Sequence, residues 1–270
     1  MTYPGGKEGA GVYQTIINLM PAHARYFEPF LGGGAILRHK LPAGENVGID
    51  VDPQVLANFS ADIAETTETD PPPPFLPGGA GPARQKSRAG PRSGRNLISS
   101  DPRGFIARPG EPRRQLELFC TDALPFLQNH TFGPSDLIYC DPPYLHSTRA
   151  SAKIYRHEMT DLQHWKLLTI LQDLPCMVMI SGYWSELYAH RLAAWHATSY
   201  QAMTRGGTPR QEWLWCNFPR PLKLHDYTYT GANFRQRERI KRKINRWVNR
   251  LAKLPETERR AILARIPTPD

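Results

Sequence analysis

Ten of the chain's 26 prolines fall within residues 71–112, together with seven of its glycines, and the run opens on Pro71-Pro72-Pro73-Pro74. Proline fixes φ and removes a backbone donor, so such a stretch builds neither a helix interior nor a central strand. It also carries too little apolar surface to fold alone. The core must therefore be assembled from the sequence on either side. This predicts an irregular insertion over residues 67–114, a better-organised body formed by 1–66 and 115–222, and a basic helical extension over 223–270. With 270 residues in all, enough chain remains outside the insertion for one sizeable core.

The charge follows the same division. The chain is net +9, yet residues 81–115 and 235–250 each carry net +7, which leaves the remainder at −5. Two basic appendages on a mildly acidic body point to a polyanion, nucleic acid before membrane. A solvated basic loop and a solvated helix remain the alternative on charge alone. No run of about 18 apolar residues occurs that could cross a bilayer. The N-terminal Met-Thr-Tyr-Pro-Gly-Gly-Lys lacks the pattern of a signal peptide, so a cytoplasmic location is expected. Cys120, Cys140, Cys176 and Cys216 lack the spacing of a zinc site or disulfide framework, and all four are expected as buried small side chains.

Hydrophobic spacing predicts a helix in Gly11–Met20, a strand in Arg25–Phe30, a helix from Ala35 to Lys40 and a strand in Asn46–Val51. After the insertion come strands at Leu116–Thr121 and Leu137–Cys140, a helix over Asp161–Asp173 and a buried strand at Cys176–Ser181. Tyr200–Thr204 and Glu212–Phe218 read as a hairpin around Arg205-Gly206-Gly207. Arg235–Leu254 is a basic amphipathic helix with Ile240, Ile244, Trp247, Val248 and Leu251 on one stripe, and Glu256–Ile266 a further helix. Strands alternating with helices argue for an α/β sheet with ligands at the strands' C-terminal ends.

Three segments carry chemistry. Phe27-Glu28-Pro29-Phe30-Leu31-Gly32-Gly33-Gly34 passes from a strand through three glycines to a helix, where a ligand can approach bare backbone. Its spacing is neither the phosphate loop nor the dinucleotide fingerprint. The next strand ends at Asp50, 18 residues after Gly32, close to the roughly 20-residue spacing of a carboxylate that accepts both ribose hydroxyls. Asp52 reads as a helix cap. Ile138-Tyr139-Cys140-Asp141-Pro142-Pro143-Tyr144 delivers a carboxylate, a rigid turn and an aromatic ring to a strand end. The Asp141 carboxylate and the Pro142 carbonyl make a stiff acceptor pair that suits an exocyclic amine, with Tyr144 as a stacking face.

With Tyr3-Pro4-Gly5-Gly6-Lys7 and Thr121-Asp122-Ala123-Leu124 added in the same order, the chain resembles the Dam-like DNA adenine-N6 methyltransferases. The resemblance covers roughly residues 1–60 and 116–219. It implies a Rossmann-like S-adenosylmethionine-dependent methyltransferase fold, here with a Pro/Gly/Arg-rich insertion and a basic C-terminal helix. It implies S-adenosyl-L-methionine as cofactor, held by Tyr3, Lys7, Glu28, Pro29, Phe30, Gly32, Gly33, Gly34, Asp50, Asp122 and Asp141. Asp141, Pro142, Pro143 and Tyr144 would receive an adenine extruded from double-stranded DNA, with no metal. Arg149, Arg205, Arg239, Lys241, Arg242 and Lys243 are candidate DNA contacts. A monomer acting in a restriction–modification setting is expected. Methylation of cytosine N4 or of an RNA base, and a catalytically silent DNA-binding protein on the same fold, are the alternatives.

Overall fold

The computed structural model describes residues 6–68, 115–149, 155–203 and 207–266. Seven strands form one sheet: β1 (Arg25–Pro29), β2 (Glu45–Asp50), β3 (Gln115–Cys120), β4 (Asp136–Cys140), β5 (Met177–Gly182), β6 (His196–Met203) and β7 (Pro209–Cys216). Their order is β3-β2-β1-β4-β5-β7-β6. Strands β1 to β5 run parallel and β7 enters antiparallel between β5 and β6. The strand order reverses between β1 and β4, which opens a crevice at their C-terminal ends. This is a Rossmann-like α/β fold, as expected.

Among the described residues eight α-helices cover or extend the sheet: α1 (Val12–Ile17), α2 (Ala35–His39), α3 (Pro53–Glu68), α4 (Ala123–Asn129), α5 (Asp161–Asp173), α6 (Glu186–Arg191), α7 (Phe234–Ala252) and α8 (Glu256–Leu263). The central strands are apolar on both faces because both faces are covered. Phe27, Ile138, Cys140, Val178 and Ile180 point to one side, where Leu127 of α4 and Leu167, Leu168 and Leu171 of α5 meet them. Their neighbours Tyr26, Leu137, Tyr139 and Met179 point to the other, against Val12, Ile16 and Ile17 of α1, Ile36 and Leu37 of α2, and Leu56 and Phe59 of α3. The period of two along each strand thus builds two cores, one per face.

The structure adds three helices to the predicted set. The sequence pattern predicts no helix over residues 53–68, yet Pro53 starts α3 and the Asp52 carboxylate accepts the Gln54 amide at 3.0 Å. The helix runs two residues into the expected insertion, whose residues 69–114 lie outside the described residues. Helices α4 and α6 are short and were also missed; Asp122 and Ser185 cap them. Cys120 corrects the expectation for the cysteines. It is exposed, because β3 is the edge of the sheet, whereas Cys140, Cys176 and Cys216 are buried.

The expected boundary at residue 223 falls inside a segment fastened to the body. Leu224 pairs with Pro21, the His225 amide reaches the Met20 carbonyl at 3.0 Å, and buried Asp226 accepts the Leu41 amide at 3.0 Å. Beyond it α7 projects, and its apolar stripe is open to solvent: Ile244, Trp247 and Val248 are 47%, 54% and 56% exposed. Among the described residues no helix is long and apolar enough to cross a membrane.

Candidate active site

A cleft of about 1020 Å³ opens at the C-terminal ends of β1, β2, β4 and β5, where the reversal of strand order places it. Its two halves come from different segments of the chain.

The first half is the turn from β1 to α2. Phe30 takes φ +64°, a conformation rare outside glycine, followed by Gly32 at +50° and Gly34 at +61°. At Phe30 such strain costs of order 1–3 kcal/mol and persists because surrounding structure holds it. Here the Leu31 amide is tied to the Ile49 carbonyl at 2.9 Å, and the Gly32 amide to Asp50 Oδ2 at 2.9 Å. Asp50 Oδ1 accepts the Asp52 amide at 2.9 Å. Burial raises the Asp50 pKa, against the opposing pull of those two amides. Asp52, expected only as a cap, also pairs with Arg156 at 3.1 Å. Asp122 caps α4 through the Leu124 amide at 2.9 Å and lines the cleft with Leu124.

Glu28 borders the same half. Its carboxyl is buried and accepts the Tyr26 hydroxyl at 2.8 Å. Burial pushes its pKa up to about 8, so the group is largely protonated at neutral pH. Pro29 departs from expectation. It is buried within β1, in register with Ile49, and does not line the cleft, so its part is to end the strand before the strained turn. Tyr3 lies outside the described residues.

The second half follows β4. Asp141 leaves the strand with its Oδ1 accepting Ser181 Oγ at 2.7 Å and Lys7 Nζ at 2.8 Å, and its Oδ2 lies 2.7 Å from the same ammonium. Lys7 also donates to the Tyr144 hydroxyl at 2.6 Å, and that hydroxyl donates to Glu212 at 2.9 Å. Burial works against the Lys7 ammonium, but the Asp141 and Glu212 carboxylates more than offset it, and its pKa ends above the ordinary value. Asp141 is itself raised, first by burial and then by Glu212, with Lys7 only partly offsetting both. Buried Pro142 and half-buried Pro143 hold the turn, and the Tyr144 ring meets Tyr183 edge-on at 4.6 Å.

Residues 113–199 match the family model of the D12 class N6 adenine-specific DNA methyltransferases. The match takes in the Asp122 and Asp141 segments and bears out the resemblance to the Dam-like family. It supports methyl transfer as the activity. No curated protein matches the chain. Solved structures similar to it include a conserved hypothetical protein of Streptococcus pyogenes, 13% identical, with a TM-score of 0.42 over 78% of this chain and 96% of that one. A precorrin 8W decarboxylase of Methanobacterium thermoautotrophicum is 9% identical, at 0.42 over 80% and 94%. An rRNA methylase of Streptococcus thermophilus is 12% identical, at 0.40 over 75% and 92%.

The D12 class segment ends before β7, yet Glu212 of that strand is part of the Asp141 cluster. Neither Glu212 nor Ser181 was read from the sequence. Both lie on strands at apolar positions, and only the pairing of β5 with β4 and β7 brings them beside Asp141. Among the expected DNA contacts, Arg149 lines the cleft, with its side chain 2% exposed and paired with Glu158 at 2.7 Å. Arg205 lies outside the described residues, while Arg239, Lys241, Arg242 and Lys243 stand exposed on α7.

Proposed function

We propose that this protein transfers a methyl group from S-adenosyl-L-methionine to the N6 amine of an adenine extruded from double-stranded DNA. The observation that carries the reading is the Asp141 carboxylate, fixed by Ser181 and Lys7 at the end of β4, in the same cleft as the glycine turn and Asp50.

The donor set of the cleft fits the cofactor. Carboxyl groups of Asp50 and Asp122 flank the glycine turn as acceptors suited to ribose hydroxyls and an adenine amine, with Glu28 beside them. Phe30, Val51 and Leu124 offer apolar surface between them. When bound, S-adenosylmethionine supplies an electrophilic methyl group on a sulfonium. The remaining work falls to the chain. Asp50 orders the turn through the Gly32 amide and keeps a lone pair on each oxygen for hydroxyl donors. The Asp141 carboxylate and the Pro142 carbonyl accept the two N6 hydrogens. This draws the nitrogen lone pair out of the ring and aims it across the cleft. Fixing both partners in this way contributes much of the rate of a two-substrate transfer. A stacked base cannot reach Asp141, so the adenine is extruded, with Tyr144 and Tyr183 as the aromatic wall that receives it.

Incubation with labelled S-adenosylmethionine and duplex DNA, followed by nucleoside analysis, tests the reading. Label in N6-methyladenine is expected, and Asp141→Ala abolishes it while cofactor binding persists. Label in N4-methylcytosine, or label only with RNA, would overturn the adenine assignment. No label on any nucleic acid would leave a silent binder.

A further inference from the structure

Glu212 is buried in β7 with three donors around one carboxylate. Its Oε2 accepts the Tyr144 hydroxyl at 2.9 Å and the Tyr200 hydroxyl at 3.0 Å, and lies 3.4 Å from Lys7 Nζ. Two carboxylates, Asp141 and Glu212, thus flank one ammonium. Lys7 engages Asp141 more closely, at 2.8 Å to Oδ1 and 2.7 Å to Oδ2, and Ser181 takes a further position on Oδ1.

Ser181 and Lys7 fill Asp141 Oδ1, and the same ammonium lies against Oδ2, so an incoming amine meets Lys7 at the oxygen it would use. Removing the ammonium outright is costly, since it would leave buried carboxylates without their counter-charge. We propose that Glu212 is the second seat of the Lys7 ammonium: as the target amine reaches Asp141, Lys7 passes to Glu212 and frees Asp141 Oδ2. The difference between 2.7 and 3.4 Å lies within the reach of a lysine side chain without backbone movement. Tyr144 and Tyr200 fix the Glu212 carboxylate, so the second seat is prepared before the move. Glu212 is then a positioning residue, acting through Lys7 on the acceptor geometry of Asp141. The inference rests on the methyl-transfer reading above and adds a residue from outside the family match to it.

The test has two arms on the full chain. In the first, lysine labelled with ¹³C at Cε is titrated by NMR, with Lys7→Met identifying the resonance. In Asp141→Asn, Glu212 still faces the Lys7 ammonium, whose pKa is expected to fall only in part. In Asp141→Asn with Glu212→Gln it is expected to fall clearly further, because burial then acts unopposed. An equal fall in the single variant would overturn the proposal, and this arm needs no turnover. In the second arm, Glu212→Gln lowers kcat about tenfold with cofactor affinity held within about twofold, while in a Lys7→Met background the same change costs about twofold or less. A loss of equal size in both backgrounds would overturn the proposal. Absence of transfer by the unmodified chain would retire the methyl-transfer reading instead, with the titration still deciding the role of Glu212. The glutamine oxygen still accepts from both tyrosines, so the variant is expected to fold.

Discussion

Asp50 holds the Gly32 amide at 2.9 Å across the β1–β2 edge, while its other oxygen holds the Asp52 amide at 2.9 Å. One carboxylate therefore shapes the glycine turn and the entry to α3 together. In Asp50→Asn the amide NH₂ would face one of those N–H groups, and a buried unpaired donor costs about 1–3 kcal/mol. The expected result is a lower unfolding midpoint and S-adenosylmethionine binding weakened at least about tenfold by calorimetry, equivalent to roughly 1.4 kcal/mol. Unchanged affinity would remove Asp50 from the cofactor site.

Gly34 faces the Phe59 ring of α3, and a Cβ added there would collide with Phe59 Cε2 and Cδ2. Its φ of +61° adds a left-handed penalty of roughly 1–2 kcal/mol for alanine. Gly34→Ala is expected to destabilise the protein by about 3 kcal/mol once overpacking is included. Trimming the ring with Phe59→Leu in the same chain should recover part of that loss in urea unfolding. A larger loss in the double variant would mean that the clash is not what limits residue 34.

That contact also explains how α3 escaped the sequence reading. Val55, Leu56, Phe59 and Ile63 carry helical spacing, but Phe59 gains its meaning from a glycine 25 positions earlier. The proline run from residue 71 follows this spacing directly and sets the expected insertion at 67, whereas α3 runs to Glu68. The central strands, the glycine turn and the Asp141 segment were legible because each is a local feature, a short apolar run ending in a turn. Glu212 was not, because its partners Lys7 and Tyr144 lie 205 and 68 positions away.

Glu28 sets a pH dependence. Its pKa rises from 4.5 to about 8 on folding, through burial. Between these values the native state keeps a proton that the unfolded chain has lost. Stability therefore falls as pH rises through this window, and the loss is complete above about pH 8. Glu28→Gln cannot ionise and still accepts from Tyr26. Urea midpoints at pH 5 and pH 9 should therefore differ less in the variant than in the unmodified chain. Equal differences in both would show that Glu28 ionises freely in the fold.

Arg149 and Glu158 form a pair in which the arginine is almost wholly buried. Removing the carboxylate strands the guanidinium, and breaking such a pair costs roughly 3–5 kcal/mol. Glu158 also accepts the Tyr155 amide at 2.9 Å, so Glu158→Ala frees that amide as well. A clear drop in the thermal midpoint is expected, with little change in the salt dependence of DNA binding. A flattened salt slope would instead return Arg149 to the DNA interface.

Helix α7 is where the salt dependence should reside. Arg239, Lys241, Arg242 and Lys243 are exposed within one stretch of it. They stand on a helix that leaves the body after a segment fastened at Leu224, His225 and Asp226. Each phosphate contact on duplex DNA releases a counterion and adds about 0.9 to the magnitude of the log–log salt slope. Replacing all four by alanine should weaken DNA binding at low salt and reduce that slope by up to roughly 3.6. Cofactor affinity should stay unchanged, since none of the four lines the cleft. Binding measured by anisotropy between 50 and 200 mM salt is the range over which such contacts are most visible. An unaltered slope would assign the four charges to solvent.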